Sequence, residues 1–177
     1  MDGPGRHERV AKVNPDALFC SRCGGPLAPR RIDDRVRAVC DRCGFVAYRN
    51  PAPAAGIVLI EDGAVLLVQR KFEPRIGMWT LPAGFVEYDE HVADCAIRET
   101  KEETNLDVTL DGLFGVYMAM DDPRVRVVLL LYRSKRVGGE LRAGDDAMDA
   151  RFFPLDATPQ DIAFKAHEQA LADLRRV

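Results

Sequence analysis

The chain of 177 residues lacks any long apolar segment. No run approaches the roughly 18 apolar residues that a membrane-spanning helix needs. The first residues, Met1 to Arg6, have no apolar core of the kind found in signal peptides. Internal repeats and low-complexity segments are also absent. These absences argue against membrane and repeat proteins and predict a cytoplasmic protein, where free thiols and metal sites outnumber disulfides.

Neither positive nor negative residues are in large excess, and the formal net charge is −3. Its distribution is uneven: residues 1–50 carry ten Lys/Arg against six Asp/Glu, and residues 51–177 carry fifteen against twenty-two. A surplus of four positive charges is too small to indicate nucleic-acid binding, whereas an acidic segment suits a metal site. The length favours one main domain with a small appendage. We predict a flexible tail over 1–16, a small domain over 17–50 and the main domain over 51–177.

Four of the five cysteines form two pairs, Cys20-Ser-Arg-Cys23 and Cys40-Asp-Arg-Cys43, separated by sixteen residues. This spacing is typical of a four-cysteine zinc site. The alternatives are two disulfides or reduced thiols without metal, but cysteines three residues apart seldom pair, and the expected compartment is reducing. The pattern resembles a zinc ribbon, in which four thiolates leave no open position for chemistry, so the zinc is expected to be structural.

Hydrophobic patterning predicts strands and one further helix in the main domain. Two apolar runs flank Asp62-Gly63, a strong hairpin signal. The predicted strands are Ala55–Glu61, Ala64–Arg70, Val108–Met120 and Val125–Tyr132, and the predicted C-terminal helix is Asp161–Arg175. His167 in that helix and His91 are interpreted as surface residues rather than ligands.

Three glutamates, Glu99, Glu102 and Glu103, occupy a segment predicted to be helical from Asp89 to Thr104. At about 100° per residue, all three project within about 60° of Glu99 and continue the apolar face marked by Ala96. A solvated charged face would lie opposite that stripe. Unscreened like-charge pairs at these spacings cost roughly 0.2–0.5 kcal/mol each, and a divalent cation removes this cost. The pattern therefore favours a metal site.

The stretch from Gly84 to Leu106 has a glycine and five charged residues at fixed spacing, namely Gly84, Glu90, Arg98, Glu99, Glu102 and Glu103. It resembles the Nudix box, the signature of the Nudix hydrolases. Two positions differ from the family pattern: Thr100 replaces the usual aliphatic residue and Asn105 the usual glycine. Asn tolerates the left-handed conformation that ends many helices, and the Thr100 hydroxyl can bond the carbonyl of Ala96.

The resemblance implies an α/β fold, the Nudix α/β/α sandwich with a mixed β-sheet, here preceded by the small four-cysteine ribbon. It also implies Mg²⁺ or Mn²⁺ as cofactor, beside the structural Zn²⁺. The implied metal ligands are Glu99, Glu102, Glu103 and the backbone carbonyl of Ala83. Arg98 and Glu90 are implied to organise these carboxylates.

Two assignments stay open. The general base is either Glu103, which we favour, or a carboxylate of the later acidic loop, which offers Asp145, Asp146 and Asp149. Arg70 and Lys71, at the end of a predicted strand, either contact substrate phosphate or form a solvated strand end.

The resemblance implies hydrolysis of the pyrophosphate bond of a nucleoside diphosphate linked to another moiety, with release of AMP. A zinc ribbon before a Nudix domain occurs in NADH pyrophosphatases, but residues 113–122 read LFGVYMAMDD, without the Ser-Gln-Pro-Trp-Pro-Phe-Pro-like segment of those enzymes. The segments PAPAAGIV and WTLPAGFVE resemble compact zinc-ribbon Nudix proteins associated with ADP-ribose or FAD.

We therefore predict an ADP-ribose or dinucleotide (FAD or NADH) pyrophosphatase. The alternatives are an 8-oxo-nucleoside triphosphatase and a non-enzymatic nucleotide sensor whose ribbon contacts nucleic acid or protein. The expected partner is a small nucleotide, with no membrane, and a homodimer is compatible with the family.

Overall fold

The structure is a computed structural model that describes residues 18–144 and 146–176. These residues form two compact units divided between Asn50 and Pro51. The tail predicted over 1–16 and the candidate base Asp145 lie outside the described residues.

The N-terminal unit contains a three-stranded antiparallel sheet of β1 (Leu27–Ile32), β2 (Arg35–Cys40) and β3 (Val46–Ala47). Strands β1 and β2 pair up to the Ile32–Arg35 position. Asp33 adopts a positive φ of 51° in the tight turn between them. The first cysteine pair precedes β1, and the second comprises the last residue of β2, Cys40, and Cys43 in the turn that follows, so both pairs lie at the same end of the hairpin.

The C-terminal unit is built on a seven-stranded sheet with the central order β10-β5-β4-β9-β8, to which β6 adds beside β5 and β7 beside β4. Strands β4 and β9 run parallel and the other pairs are antiparallel, so the sheet is mixed. In chain order the elements are β4 (Ala52–Glu61), β5 (Ala64–Arg70), β6 (Trp79–Thr80), β7 (Ala83–Phe85), α1 (Val92–Thr104), β8 (Leu106–Ala119), β9 (Val127–Gly139), β10 (Ala147–Pro154) and α2 (Lys165–Leu174).

Each face of this sheet is covered by one helix. Alternate side chains of a strand point to opposite faces, and β4 shows this directly: Val58 packs with the α2 residue Leu171, whereas Ile57 packs with the α1 residue Ala96. The result is the predicted α/β/α sandwich around a mixed sheet. Neither helix that the structure describes has the length and apolar composition of a membrane span.

The hairpin predicted at Asp62-Gly63 is present, and both residues have the positive φ values, 50° and 77°, of a type I′ turn. The end of β9 was predicted too early. The apolar run stops at Tyr132, but the strand continues to Gly139 because its backbone stays paired with β8 as far as the Leu106–Gly139 position.

Both helices begin later than predicted. Helix α1 starts at Val92 instead of Asp89. Helix α2 starts at Lys165 instead of Asp161 because the preceding residues pair with Trp79: its N–H donates to the carbonyl of Asp161, and its carbonyl accepts from the N–H of Ala163. These bonds hold the segment extended against β6.

Candidate active site

Helix α1 has well-satisfied ends that fix the position of its glutamates. At its start the His91 ring accepts a hydrogen bond from the N–H of Ala93 at 3.2 Å. At its end Asn105 adopts a left-handed conformation with φ of 60°. The hydroxyl of Thr100 donates to the carbonyl of Ala96 at 2.7 Å. Both departures from the motif are therefore accommodated as predicted.

Arg98 connects three carboxylates of the motif. Its guanidinium donates to Glu90 Oε1 at 2.7 Å and Oε2 at 3.0 Å, to Glu99 Oε1 at 2.7 Å and to Glu102 Oε2 at 2.8 Å. It also donates to the carbonyl of Phe85 at 3.3 Å. The hydrogen bonds from Arg98 lower the pKa of Glu90 to about 2. These contacts are the ones that the organising role predicted for Arg98 and Glu90 requires, and the role itself stays a prediction.

Glu99 lies directly against Gly84, the first residue of the motif. A Cβ atom at Gly84 would overlap the Glu99 carboxylate, so a side chain there would force this carboxylate, which Arg98 holds, to move. Burial raises the pKa of Glu99, although Arg98 opposes the shift. The close approach of strand β7 to helix α1 explains why the motif begins with glycine.

Glu103 is held by the same strand, through the residue before Gly84. Its Oε2 accepts a hydrogen bond from the N–H of Ala83 at 3.1 Å. Burial and the neighbouring charge of Glu99 raise the pKa of Glu103 to about 8. Glu102 behaves differently: its side chain is 57% exposed. The expectation that all three glutamates continue the buried face thus fits Glu99 and Glu103 but is wrong for Glu102, which extends into solvent with Arg98.

The glutamates do not converge tightly. Within residues 18–144 and 146–176, the four cysteines are the only group whose ligand atoms all lie within 4.8 Å of one another. The donor set on α1 is nevertheless made only of carboxylate oxygens, the ligands preferred by Mg²⁺ and similar hard cations. Burial first, and then the charge of Glu99, raise the pKa of Glu103, and a cation bound beside both carboxylates would neutralise their charges. The chemistry of these residues therefore fits a divalent metal.

The acidic loop before β10 is anchored to the end of α1. The N–H of Gly144 donates to the carbonyl of Glu103 at 3.0 Å, and a Cβ at Gly144 would overlap the carbonyl oxygen of Glu102. Asp146 lies close enough for its charge to contribute to the raised pKa of Glu103. Asp149 is engaged elsewhere, with the N–H of Ala150 and the guanidinium of Arg151.

A cleft of about 430 Å³ opens beside Ala83 and Gly84. Its apolar floor includes Ala54, Val127 and Leu129, and its polar lining includes Arg70, Thr80, Asp122, Arg124 and His167. Arg70 packs over the Phe164 ring and donates to the carbonyl of Pro74 at 2.9 Å. Its charge also acts on Glu103. Of the two cations predicted at the strand end, Arg70 lines the cleft and Lys71 does not.

The interpretation of His167 as a surface residue is wrong. Its exposed fraction is 8%, and its Nδ1 accepts a hydrogen bond from the N–H of Leu81 at 3.2 Å. A sequence signal was present: His167 lies four residues after Ala163 and three before Ala170, two fully buried positions, and so falls on the apolar stripe of α2.

The N-terminal unit contains the four cysteines predicted to bind zinc, close together. The Sγ atoms of Cys20 and Cys43 lie 3.7 Å apart, and those of Cys23 and Cys40 lie 3.5 Å apart. A tetrahedron with Zn–S bonds near 2.3 Å requires sulfur separations of about 3.8 Å. The N–H of Arg22 also donates to Cys20 Sγ at 3.4 Å. The four thiols fit a zinc ion.

Comparison with known proteins identifies both units. The NUDIX domain family matches residues 50–174, and the zinc ribbon described as Nudix N-terminal matches residues 18–49. A protein named ADP-ribose pyrophosphatase from Methanocaldococcus jannaschii is 42% identical over 151 residues, which cover 85% of this chain and 88% of that relative. The NAD-capped RNA hydrolase NudC of Pseudomonas aeruginosa is 32% identical over 88% of this chain, which spans 54% of that longer protein.

A solved structure agrees with these matches. The crystal structure of a NUDIX hydrolase from Nitrosomonas europaea superimposes with a TM-score of 0.76 at 34% identity, covering 88% of each chain. The match includes most of both chains. The protein is therefore a member of the Nudix hydrolase family, with the family's zinc ribbon at its N-terminus.

Proposed function

We propose that this Nudix hydrolase cleaves the pyrophosphate bond of ADP-ribose in a reaction that depends on a divalent cation, releasing AMP and ribose 5-phosphate. The observation that carries the proposal is the position of two carboxylates: Glu99 lies against Gly84 and Glu103 bonds the N–H of Ala83. Ala83 and Gly84 also line the cleft of about 430 Å³. The volume lies in the range of small-molecule sites. The similarity to a protein named ADP-ribose pyrophosphatase over most of both chains supports the choice of substrate.

We assign each residue of the site a role from the contacts that it makes. Arg98 and Glu90 hold Glu99 and Glu102 in place as metal ligands, together with Glu103 and the carbonyl of Ala83. Mg²⁺ or Mn²⁺ bound there supplies charge neutralisation on the pyrophosphate and a more acidic water. Arg70, in the cleft wall near Glu103, binds a substrate phosphate through its guanidinium.

For the general base we propose Glu103, which is fixed by the N–H of Ala83 at the edge of the cleft. Asp146 is the alternative from the acidic loop, because its charge acts on Glu103. Asp149 is the weaker candidate, since Ala150 and Arg151 already occupy its carboxylate. Comparing Glu103→Gln with Asp146→Asn in single-turnover kinetics separates the two when Mg²⁺ binding is measured on both variants: loss of the base slows the chemical step at saturating Mg²⁺, whereas loss of a ligand also weakens Mg²⁺ binding.

A dinucleotide substrate is the second candidate, supported by the similarity to NudC. One assay can compare ADP-ribose with dinucleotide substrates. Purified protein is assayed with ADP-ribose, FAD, NADH, nucleoside diphosphate sugars and 8-oxo-dGTP, each with Mg²⁺ or Mn²⁺, and products are separated by chromatography. We expect the highest kcat/KM with ADP-ribose.

A matched pair of variants tests the assigned site. Glu102→Gln removes one carboxylate charge from the Arg98 cluster, whereas Glu168→Gln makes the same change at an exposed position on α2. We expect the first to abolish most turnover and the second to leave it unchanged. Full activity of Glu102→Gln would refute the ligand set, and no turnover of any substrate by folded, zinc-loaded protein would favour the nucleotide sensor.

A further inference from the structure

His167 is a buried ring in the wall of the cleft that the proposed chemistry does not use. It lies in the first turn of α2, with 8% of its surface exposed. Its ring centroid is 6.0 Å from that of Phe164, and both side chains line the cleft. A polar ring so placed either supports the backbone behind it or contacts whatever occupies the cleft.

The hydrogen bond from Leu81 determines which ring nitrogen carries the proton. A backbone N–H can only donate, so Nδ1 is the acceptor at 3.2 Å. In a neutral imidazole the proton is then on Nε2. Burial and the positive charge of Arg70 lower the pKa of His167 to about 4, while the charge of Asp121 only partly offsets this. At neutral pH the ring therefore offers the cleft one uncharged N–H donor.

This donor has no acceptor in the part of the protein that the structure describes. The nearby carboxylate of Asp121 does not serve, because its Oδ2 bonds Arg75 and Lys165 and its buried Oδ1 has no hydrogen-bond partner. The ring borders the cleft, and its other nitrogen bonds the backbone of Leu81. Nε2 is therefore the polar atom that His167 can present to a ligand.

His167 shares its part of the cleft with an aromatic ring and a cation. Its ring centroid lies 6.0 Å from that of Phe164, and the guanidinium of Arg70 packs over the Phe164 ring. The charge of Arg70 acts on both His167 and Glu103, so a phosphate bound by Arg70 lies between the imidazole and the carboxylates. Apolar side chains, including that of Val127, line the same cleft, and an uncharged donor is complementary to an uncharged ring nitrogen of a heteroaromatic base.

We propose that His167 determines specificity by donating a hydrogen bond from Nε2 to a ring nitrogen of the substrate's purine base. The inference rests on the proposed function, because it assigns the nucleoside half of that substrate to this part of the cleft. One uncharged hydrogen bond contributes roughly 0.5–1.5 kcal/mol. Its loss therefore weakens nucleotide binding by roughly two- to twelvefold.

A purely structural role makes a different prediction. Leu81 leads through Pro82 to Ala83, whose N–H holds Glu103, so His167 would then act only by holding this segment. His167→Asn places an amide oxygen near the position of Nδ1 and retains an acceptor for Leu81, but it removes the donor at Nε2. His167→Gln extends an amide toward the Nε2 position and gives up the bond to Leu81.

The test uses AMP binding by calorimetry, ADP-ribose kinetics and thermal unfolding of the full-length protein. For His167→Asn we expect a roughly tenfold higher Kd for AMP and a KM that rises more than kcat falls, with a small change in Tm. For His167→Gln we expect tighter AMP binding than for His167→Asn but a lower Tm. Gln169→Asn, at an exposed position of the same helix, is the control and should leave the Kd for AMP and the KM unchanged.

A second measurement does not depend on how the variants fold. AMP analogues with one ring nitrogen replaced by carbon, the 1-, 3- and 7-deaza forms, are titrated into the wild-type protein. We expect one of them to bind several-fold more weakly than AMP, and this penalty to disappear in His167→Asn. Equal binding of all three analogues and AMP by the wild-type protein would overturn the inference.

The two proposals fail in different ways. If the wild-type protein turns over no pyrophosphate substrate, the proposed function is wrong. If it hydrolyses ADP-ribose but His167→Asn binds AMP as tightly as the wild type, only the role of His167 is wrong. A fall in Tm without a change in Kd would assign His167 to supporting Leu81.

Discussion

Burial of His167 should make the C-terminal unit sensitive to mild acid. In the folded protein its pKa is lowered from 6.5 to about 4, first by burial and then by the charge of Arg70, against a partial opposing effect of Asp121. In the unfolded chain the same group titrates near its ordinary value of about 6.5. Between these two values the unfolded chain binds a proton that the folded protein does not, so the free energy of unfolding falls as the pH is lowered through this window.

The size of the effect follows from the shift. The change of pKa from 6.5 to about 4 corresponds to a loss of about 3.4 kcal/mol when complete, of which about 3 kcal/mol is reached at pH 4. At pH 5 the same linkage relation gives a loss of about 2 kcal/mol relative to pH 7.5. This is a large fraction of the total stability of a typical domain, about 5–15 kcal/mol.

The assay compares urea unfolding of the wild-type protein and His167→Gln at pH 7.5 and pH 5. Glutamine does not titrate, so the variant lacks this contribution, whereas carboxylates and zinc-binding thiolates respond to acid in both proteins and cancel in the comparison. We expect the wild type to lose about 2 kcal/mol more than the variant on acidification. Equal losses would show that His167 titrates normally and is therefore not buried as described.

Four further outcomes follow from the structure. Gly84→Ala should lower kcat by about a hundredfold or more, because its Cβ would displace the Glu99 carboxylate. The helix content measured by circular dichroism should not change, and near-normal turnover would contradict this close approach. Gly144→Ala should lower both Tm and kcat, because its Cβ would overlap the end of α1. Arg70→Ala should raise KM at least tenfold while Lys71→Ala changes it less than twofold, since only the former side chain lines the cleft; equal effects would refute this distinction. Elemental analysis should find one zinc per chain, and serine in place of any one of the four cysteines should lower that content.

Local patterning was sufficient to predict the motif helix but not the environment of every carboxylate on it. A helical projection gives the direction of each side chain, so Glu99 and Glu103 were correctly expected to point inward. Glu102 lies at the edge of the inward-facing side of the helix. Whether a side chain at that edge is buried depends on which other residues pack against it. In the folded protein the edge is occupied by Arg98, which leaves Glu102 in solvent.

The opposite wall of the cleft was not predictable by the same reasoning. Phe164 and His167 follow the motif by more than fifty residues, and they reach the cleft only because α2 packs on the face of the sheet opposite α1. No spacing rule within the chain expresses that packing. The burial of His167 was predictable from its place in the apolar stripe of α2. The ligand that the buried ring contacts was not predictable from the sequence.

The arrangement of β7 explains why so much of the candidate site depends on a few small residues. This strand pairs with β4 and contacts α1. A Cβ at Gly56 would overlap the carbonyl oxygen of Pro82, just as one at Gly84 would overlap Glu99. With both side chains absent, the strand comes close enough for the N–H of Ala83 to bond Glu103. The glycine that opens the motif therefore acts through space rather than through backbone freedom. Its fixed distance from Glu99 in sequence reflects one close contact between a strand and the helix that follows it.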